Sequence, residues 1–182
     1  WWQTHPFSLS MIPANGELRI TVKELGDFTK AIKDLQPGTK VYIDGPYGIF
    51  TDAVNTSNKV LCIAGGIGIT PIRSLSEQLL QQGKDVILLY GNRNVNDISL
   101  KHEFDALQQK YGAKIIHILS DDPTHMGEKG RIDEEKILRL VPDILERDIY
   151  LCGPPLMMEG IIVTLKKLGV TKNKLHFEKF EL

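Results

Sequence analysis

Cysteine is scarce in this chain. Only Cys62 and Cys152 occur among 182 residues, too few for a disulfide framework or a four-cysteine iron–sulfur cluster. Both sit inside apolar, strand-like runs, which reads as reduced thiols in an intracellular protein. No 18-residue apolar run and no signal peptide is present, so the expectation is a cytoplasmic segment that neither crosses a membrane nor is exported by itself. Charge of one sign is missing as well: the formal net is -1, with no Lys/Arg run, and no nucleic-acid partner is expected. His5, His102, His117, His125 and His176 are scattered without H-E-x-x-H spacing, so no metal site is expected. A Ser–His–Asp hydrolase would need a G-x-S-x-G elbow, and none occurs. The opening Trp1-Trp2, without methionine, predicts a piece of a longer polypeptide.

What is present is an ordinary mixture, 42% hydrophobic and 25% charged, enough for a packed core. Residues 1–54 look β-rich. PFSLSMI, ELRITVKEL and TKVYIDG are short alternating or β-branched runs separated by turn residues. Between the last two lies GDFTKAIKDL, a short helix with Asp27 as its expected N-cap. After the polar joint at 55–58 the rhythm changes. KVLCIAG, DVILLYG, AKIIHILS, DIYLCG and KLHFEKF alternate with helical patterns over 59–182. That alternation predicts an α/β unit with a doubly wound, five-stranded parallel sheet. Gly83, Gly112 and Gly169 each follow a last periodic residue, as helix stops do.

The stretch VLCIAGGIGITPIRSL, residues 60–75, breaks a buried strand with Gly65, Gly66 and Gly68 and restarts at Pro71. Glycines at the first strand-to-helix turn let backbone approach a pyrophosphate, and the helix N-terminus favours an anion. Pro71 suits the first helical position, where no N–H is needed. Tight turns produce the same letters for steric reasons alone, and the spacing is not G-x-G-x-x-G.

Five segments together resemble one family. AGGIGITP resembles the nicotinamide-dinucleotide loop of the ferredoxin–NADP reductase superfamily, and LCGPPLMMEGI its Cys-Gly-Pro-Pro-x-Met segment. HPFS resembles the flavin segment of the ferric reductase and NADPH oxidase branch; DGPYGIF and HFEKF follow in the expected order. The resemblance implies that residues 1–54 are the C-terminal half of an antiparallel FAD-binding β-barrel, and that 59–182 bind NAD(P). It implies His5 at the FAD phosphates, Phe7 along the flavin and Ser8 near flavin N5, with Pro6 among the cofactor-binding residues. Gly26, Phe28 and Thr29 would attend the pyrophosphate, and Tyr47 and Gly48 would line the flavin loop. Gly66, Gly68 and Thr70 would hold the dinucleotide, with Cys152, Gly153 and Pro154 beside the nicotinamide. Glu178 and Phe180 match the acidic and terminal aromatic residues that meet the flavin. Ser8, Cys152, Glu178 and Phe180 are thus the implied catalytic set. The residues alone also fit plainer roles: His5 in a turn, Phe7 in a core, Cys152 as a small filler.

The implied activity is that of an NAD(P)H-dependent FAD oxidoreductase, in which hydride passes to FAD and single electrons go on to haem, ferric iron or oxygen. The cofactors supply that chemistry and the protein supplies position. Arg93 would welcome the 2′-phosphate of NADPH, whereas Asp121 and Asp122 would repel it; the branch favours NADPH. The acceptor implied is a haem-carrying membrane domain upstream of Trp1. The alternatives are a soluble reductase for an oxygenase or haem partner, and a non-catalytic nucleotide-binding module. An opened barrel leaves strand edges, so poor FAD retention, or a dimer through that edge, is expected.

Overall fold

The protein's structure, a computed structural model, describes residues 4–180. Its centre is a parallel sheet of six strands: β1 (Lys59–Gly65), β2 (Asp85–Asn92), β3 (Lys114–Leu119), β4 (Glu128–Lys129), β5 (Asp148–Gly153) and β6 (Leu175–Lys179). The order is β4-β3-β2-β1-β5-β6. The five expected strands are all there, and β4 adds a sixth at the edge. Two polar residues pairing through backbone alone leave no hydrophobic pattern to read. Side chains alternate between two cores, as the strand period requires. Val60, Cys62, Ala64, Leu88, Tyr90, Tyr150 and Cys152 enter one core. Leu61, Ile63, Ile87, Leu89, Ile149 and Leu151 enter the other.

Helices α2 (Ile69–Gln81) and α3 (Lys101–Tyr111) cover the first core; α4 (Glu134–Leu140) and α5 (Pro155–Lys167) cover the second. Gly83, Gly112 and Gly169 end α2, α3 and α5 with φ of +76°, +73° and +92°, the left-handed geometry that glycine tolerates best. Pro71 is not the first residue of its helix. A 3-10 turn at Gly66–Gly68 intervenes, and α2 begins at Ile69. Pro71 is therefore the third residue, still inside the turn whose N–H groups have no intrahelical partner.

The amino-terminal unit differs from expectation. Its described residues form no extended strand, only antiparallel bridges Leu9↔Ile20 and Ala14↔Glu17. Helix α1 (Asp27–Ile32) is present, but its N-cap is Gly26 rather than Asp27. The Thr29 hydroxyl closes that cap, accepting from Gly26 N–H at 3.0 Å. In 39–49, Val41 is 63% exposed, Ile43 71% and Ile49 81%. A strand needs ladder partners, and among the described residues no β-ladder or bridge involves this segment.

The joint between the units is tightly held. The Asp148 carboxylate, fully buried, accepts hydrogen bonds from Asn55 Nδ2, both the N–H and Oγ1 of Thr56, and Ser57 N–H. Next to it, Arg147 donates to the carbonyls of Val60 and Asp85 and forks onto Asp143 at 2.8 and 3.0 Å. Those bonds from Arg147, opposed by desolvation and aided by Lys59, hold the Asp143 carboxyl down to about 2 against an ordinary 3.8. A depressed carboxyl contributes stability above its unfolded value and loses it as pH falls through the folded one. The melting temperature is therefore expected to fall between pH 4 and 2, and Asp143→Asn to flatten that slope in a thermal-melt series. An unchanged slope would place the acid sensitivity elsewhere.

Candidate functional site

The strand order reverses between β1 and β5. In open α/β sheets, that switch point opens a crevice beyond the carboxyl ends of the strands. The glycine loop and the Cys152-Gly153 segment meet there. A Cβ on Gly68 would lie 2.4 Å from Cys152 O and 2.7 Å from Gly153 N. One on Gly153 would lie 3.1 Å from Gly65 N. These glycines permit two backbones to cross. Gly66 is different: its φ is +51° and none of the described residues lies within 4 Å of a Cβ built there. Of the loop, Gly66 is the residue that leaves room for a ligand. Thr70 is buried and donates its hydroxyl to Ile67 O at 3.1 Å.

The Cys152 thiol is fully buried, and burial, with Glu178 adding to it, pushes its pKa up to about 12. It is a neutral wall at ordinary pH, not a thiolate nucleophile. Pro154, the exposed N-cap of α5, stands at the rim. β6 places Glu178 beside Cys152 in parallel register. Ser8, from the amino-terminal unit, donates to Glu178 Oε1 at 2.8 Å across 170 residues of sequence. Three of the four residues implied to be catalytic thus converge. The fourth, Phe180, packs on the core that contains Cys152.

Around Ser8 the aromatic set is partly assembled. The His5 and Phe28 rings stack at 3.5 Å, and Phe7 and Phe28 at 6.4 Å. Phe7 is 36% exposed, so it is not a core residue. His5 Nε2 is buried and finds no hydrogen-bond partner among the described residues. Pro6 and Gly26 are exposed. Tyr47 is 80% exposed, and its hydrogen bond to Asp44 raises its pKa. Gly48, at φ +92°, meets nothing within 4 Å of a built Cβ. The stacked rings of His5, Phe7 and Phe28 with the orphaned His5 nitrogen fit a planar, polar-edged group.

Arg93 is exposed just past the carboxyl end of β2. Its carbonyl accepts from Asp121 N–H at 2.8 Å, so the two side chains project from neighbouring strand ends. Asp122 instead accepts from Thr124 and His125 in its own turn. Sequence reading missed two residues here. Tyr90 donates to Gly66 O at 3.2 Å and accepts from Ser99 N–H, pinning the open glycine. Asn92, 9% exposed, lies by the Tyr90 hydroxyl, yet neither of its side-chain amide atoms makes a hydrogen bond of good geometry among the described residues. Buried unpaired amides are costly, which marks Asn92, the last residue of β2, as a candidate polar contact for a ligand. The only available signal was a polar residue closing an apolar strand.

The signature of the oxidoreductase NAD-binding domain matches residues 62–162, more than half the chain. That of a FAD-binding domain matches residues 1–51. Flavohemoprotein of Candida albicans is 32% identical over 185 residues, covering 96% of this chain and 46% of its own length. The glycine betaine monooxygenase reductase subunit of Chromohalobacter salexigens is 29% identical, covering 88% of this chain and 46% of its own. The chain thus spans about half the length of these curated relatives. The FAD/NAD-binding domain of nitric oxide dioxygenase from Vibrio cholerae superposes with a TM-score of 0.76 at 24% identity, over 96% of this chain and 76% of that one. Ferredoxin NADP+ reductase from Neisseria gonorrhoeae, solved with FAD and NADP, gives 0.77 at 15%, over 95% and 78%. The chain belongs to the ferredoxin–NADP reductase superfamily: an oxidoreductase NAD-binding domain that follows part of a FAD-binding domain.

Proposed function

We propose that this chain is the dehydrogenase part of an NAD(P)H-dependent FAD oxidoreductase that passes electrons on, one at a time, to haem, ferric iron or oxygen. The contact between Ser8 and Glu178 carries the reading: it joins the flavin-side segment to the strand beside Cys152. His5, Phe7, Phe28 and Tyr47 would hold FAD. Gly66, Asn92, Arg93 and Pro154 would hold the dinucleotide, while Gly68 and Gly153 keep the crevice walls together. The bound cofactors would supply the redox chemistry. The chain's own part is to align them, keep the Cys152 wall neutral and fix the Ser8 hydroxyl proton on Glu178.

A soluble reductase serving an oxygenase is the second reading, favoured by relatives named as monooxygenase and dioxygenase reductase components. A membrane haem partner and a dimer through the exposed 39–49 segment belong to the same proposal. Among the described residues, no helix is long and apolar enough to cross a membrane.

The test is an anaerobic titration of the chain with FAD, then NADPH and separately NADH, followed at the flavin band. Bleaching well above that of free FAD supports the reading. A preference for NADPH assigns the 2′ position to Arg93, and one for NADH assigns it to Asp121. Nucleotide binding without bleaching leaves only a nucleotide-binding module, and loss of both binding events ends the proposal.

A further inference from the structure

Two acidic and two basic side chains outside the site form one cluster between the units. Arg19 forks onto Glu103 of α3 at 2.9 and 2.8 Å. Arg73 of α2 bonds the same carboxylate through Nε at 2.9 Å and Glu77 through its other arm at 2.8 Å. The Arg73 side chain is only 9% exposed. Burial alone would raise the pKa of Glu103, but the two guanidinium groups lower it below its ordinary value, so the carboxylate stays charged.

Arg19 also holds the segment that carries Ser8. Its Nε donates to Ser10 Oγ at 3.1 Å, and a second arm reaches Ser10 O. Ser10 is fully buried, and its N–H bonds Arg19 O at 2.8 Å. From the other side, Ser74 of α2 donates to Leu9 O at 3.0 Å. Residues 8–10 are therefore fastened to the helix that rises from the glycine loop, and to α3 behind it.

We propose that Glu103 is a positioning residue for the proposed redox reaction: with Arg19 and Arg73 it locks the Ser8 segment onto α2, and so sets the spacing between the flavin side and the glycine loop. This rests on the function proposed above. Reaction rates fall steeply when reacting groups are misplaced by about 1 Å, so a clamp of this kind acts on the transfer step rather than on affinity.

Arg19→Met keeps the apolar stem and leaves the Arg73–Glu103–Glu77 bonds inside the NAD-binding unit intact, so that unit stays folded. Glu103→Gln removes the shared charge from the opposite partner. In the FAD-loaded protein, both variants are expected to slow anaerobic flavin reduction about tenfold, with FAD stoichiometry and nucleotide Kd unchanged. The double variant should be no slower than either single one, since the residues act as a unit. Independently of activity, Glu103→Gln is expected to speed amide hydrogen exchange at Ser10, Ile20 and Thr21, which lie more than 80 residues away along the chain, while α3 itself stays protected. Unmodified rates in Arg19→Met, losses that multiply in the double variant, slowing that merely tracks FAD or nucleotide release, or unchanged exchange at Ser10 would each overturn the clamp. Failure of the unmodified protein to reduce FAD at all would overturn the functional reading and the clamp with it, whereas normal reduction in both variants removes only the clamp.

Discussion

Gly68→Ala is expected to melt well below the unmodified protein and to lose dinucleotide binding. The added methyl would meet Cys152 O at 2.4 Å, Cys152 C at 2.5 Å and Gly153 N at 2.7 Å, all backbone atoms of a central strand. None can swing aside as a side-chain tip can, so β5 and the start of α2 must separate. Overpacking costs about 1–3 kcal/mol and occasionally more; with three backbone atoms under 3 Å the upper end, about 3 kcal/mol, applies, which for a chain of this size lowers the melting temperature by roughly 10 °C. Gly66→Ala is the informative contrast. It has no clash to relieve, only a left-handed φ of +51°, which costs about 1–2 kcal/mol. It should keep most of its melting temperature yet lose nucleotide affinity, because its methyl would occupy the open space. Gly153→Ala, with its nearest contact at 3.1 Å, should fall between them. Thermal melts and nucleotide titration of the three variants check the order. A Gly68→Ala protein that melts normally would mean the loop and β5 do not cross as described.

That contrast shows what the letters of the sequence could and could not tell. Three glycines within four residues, at 65, 66 and 68, announce that backbone comes close to something. They do not say whether the neighbour is ligand or protein; Gly68 meets the backbone of Cys152 and Gly153, whereas Gly66 has no neighbour within 4 Å of a built Cβ among the described residues. The central strands were legible because β1, β2 and β5 are covered on both faces, and their near-continuous apolar runs follow from that. β4 was not, since Glu128 and Lys129 join the sheet only by backbone pairing with Ile118 and Leu119. The 3-10 turn that moves the start of α2 by two residues leaves no compositional trace. The alternating runs before residue 50 suggested strands, but alternation marks a face to be covered, and pairing requires partners that these residues do not find among those described. Arg19 and Glu103, 84 positions apart, read as ordinary surface charges until the fold brings them together. Asn92 escaped notice because only its missing hydrogen bonds mark it.

Ser8→Ala is expected to slow flavin reduction by nucleotide about 10- to 100-fold while leaving both cofactors bound. The hydroxyl donates to Glu178 at 2.8 Å in a half-buried setting, and a hydrogen bond to a charged partner contributes about 1.5–3 kcal/mol. At about 1.4 kcal/mol per factor of ten, that range gives the expected loss, provided the bond matters to the transfer step. The partner must then behave as part of the same device. Glu178→Gln keeps an acceptor for Ser8 but removes the charge, so it separates two roles for the carboxylate. If Glu178 only orients the Ser8 hydroxyl, Glu178→Gln should lose less than Ser8→Ala. If its charge is needed beside the neutral Cys152 wall, it should lose as much or more. In either case Ser8→Thr, which retains the hydroxyl, should recover most of the rate. The Ser8→Ala, Glu178→Gln double variant should resemble the worse single one, because residues that act together do not lose activity additively. Stopped-flow reduction at saturating nucleotide measures all four. A Ser8→Ala protein with the unmodified rate, or two losses that simply multiply, would separate Ser8 from Glu178 and remove the contact on which the functional reading stands.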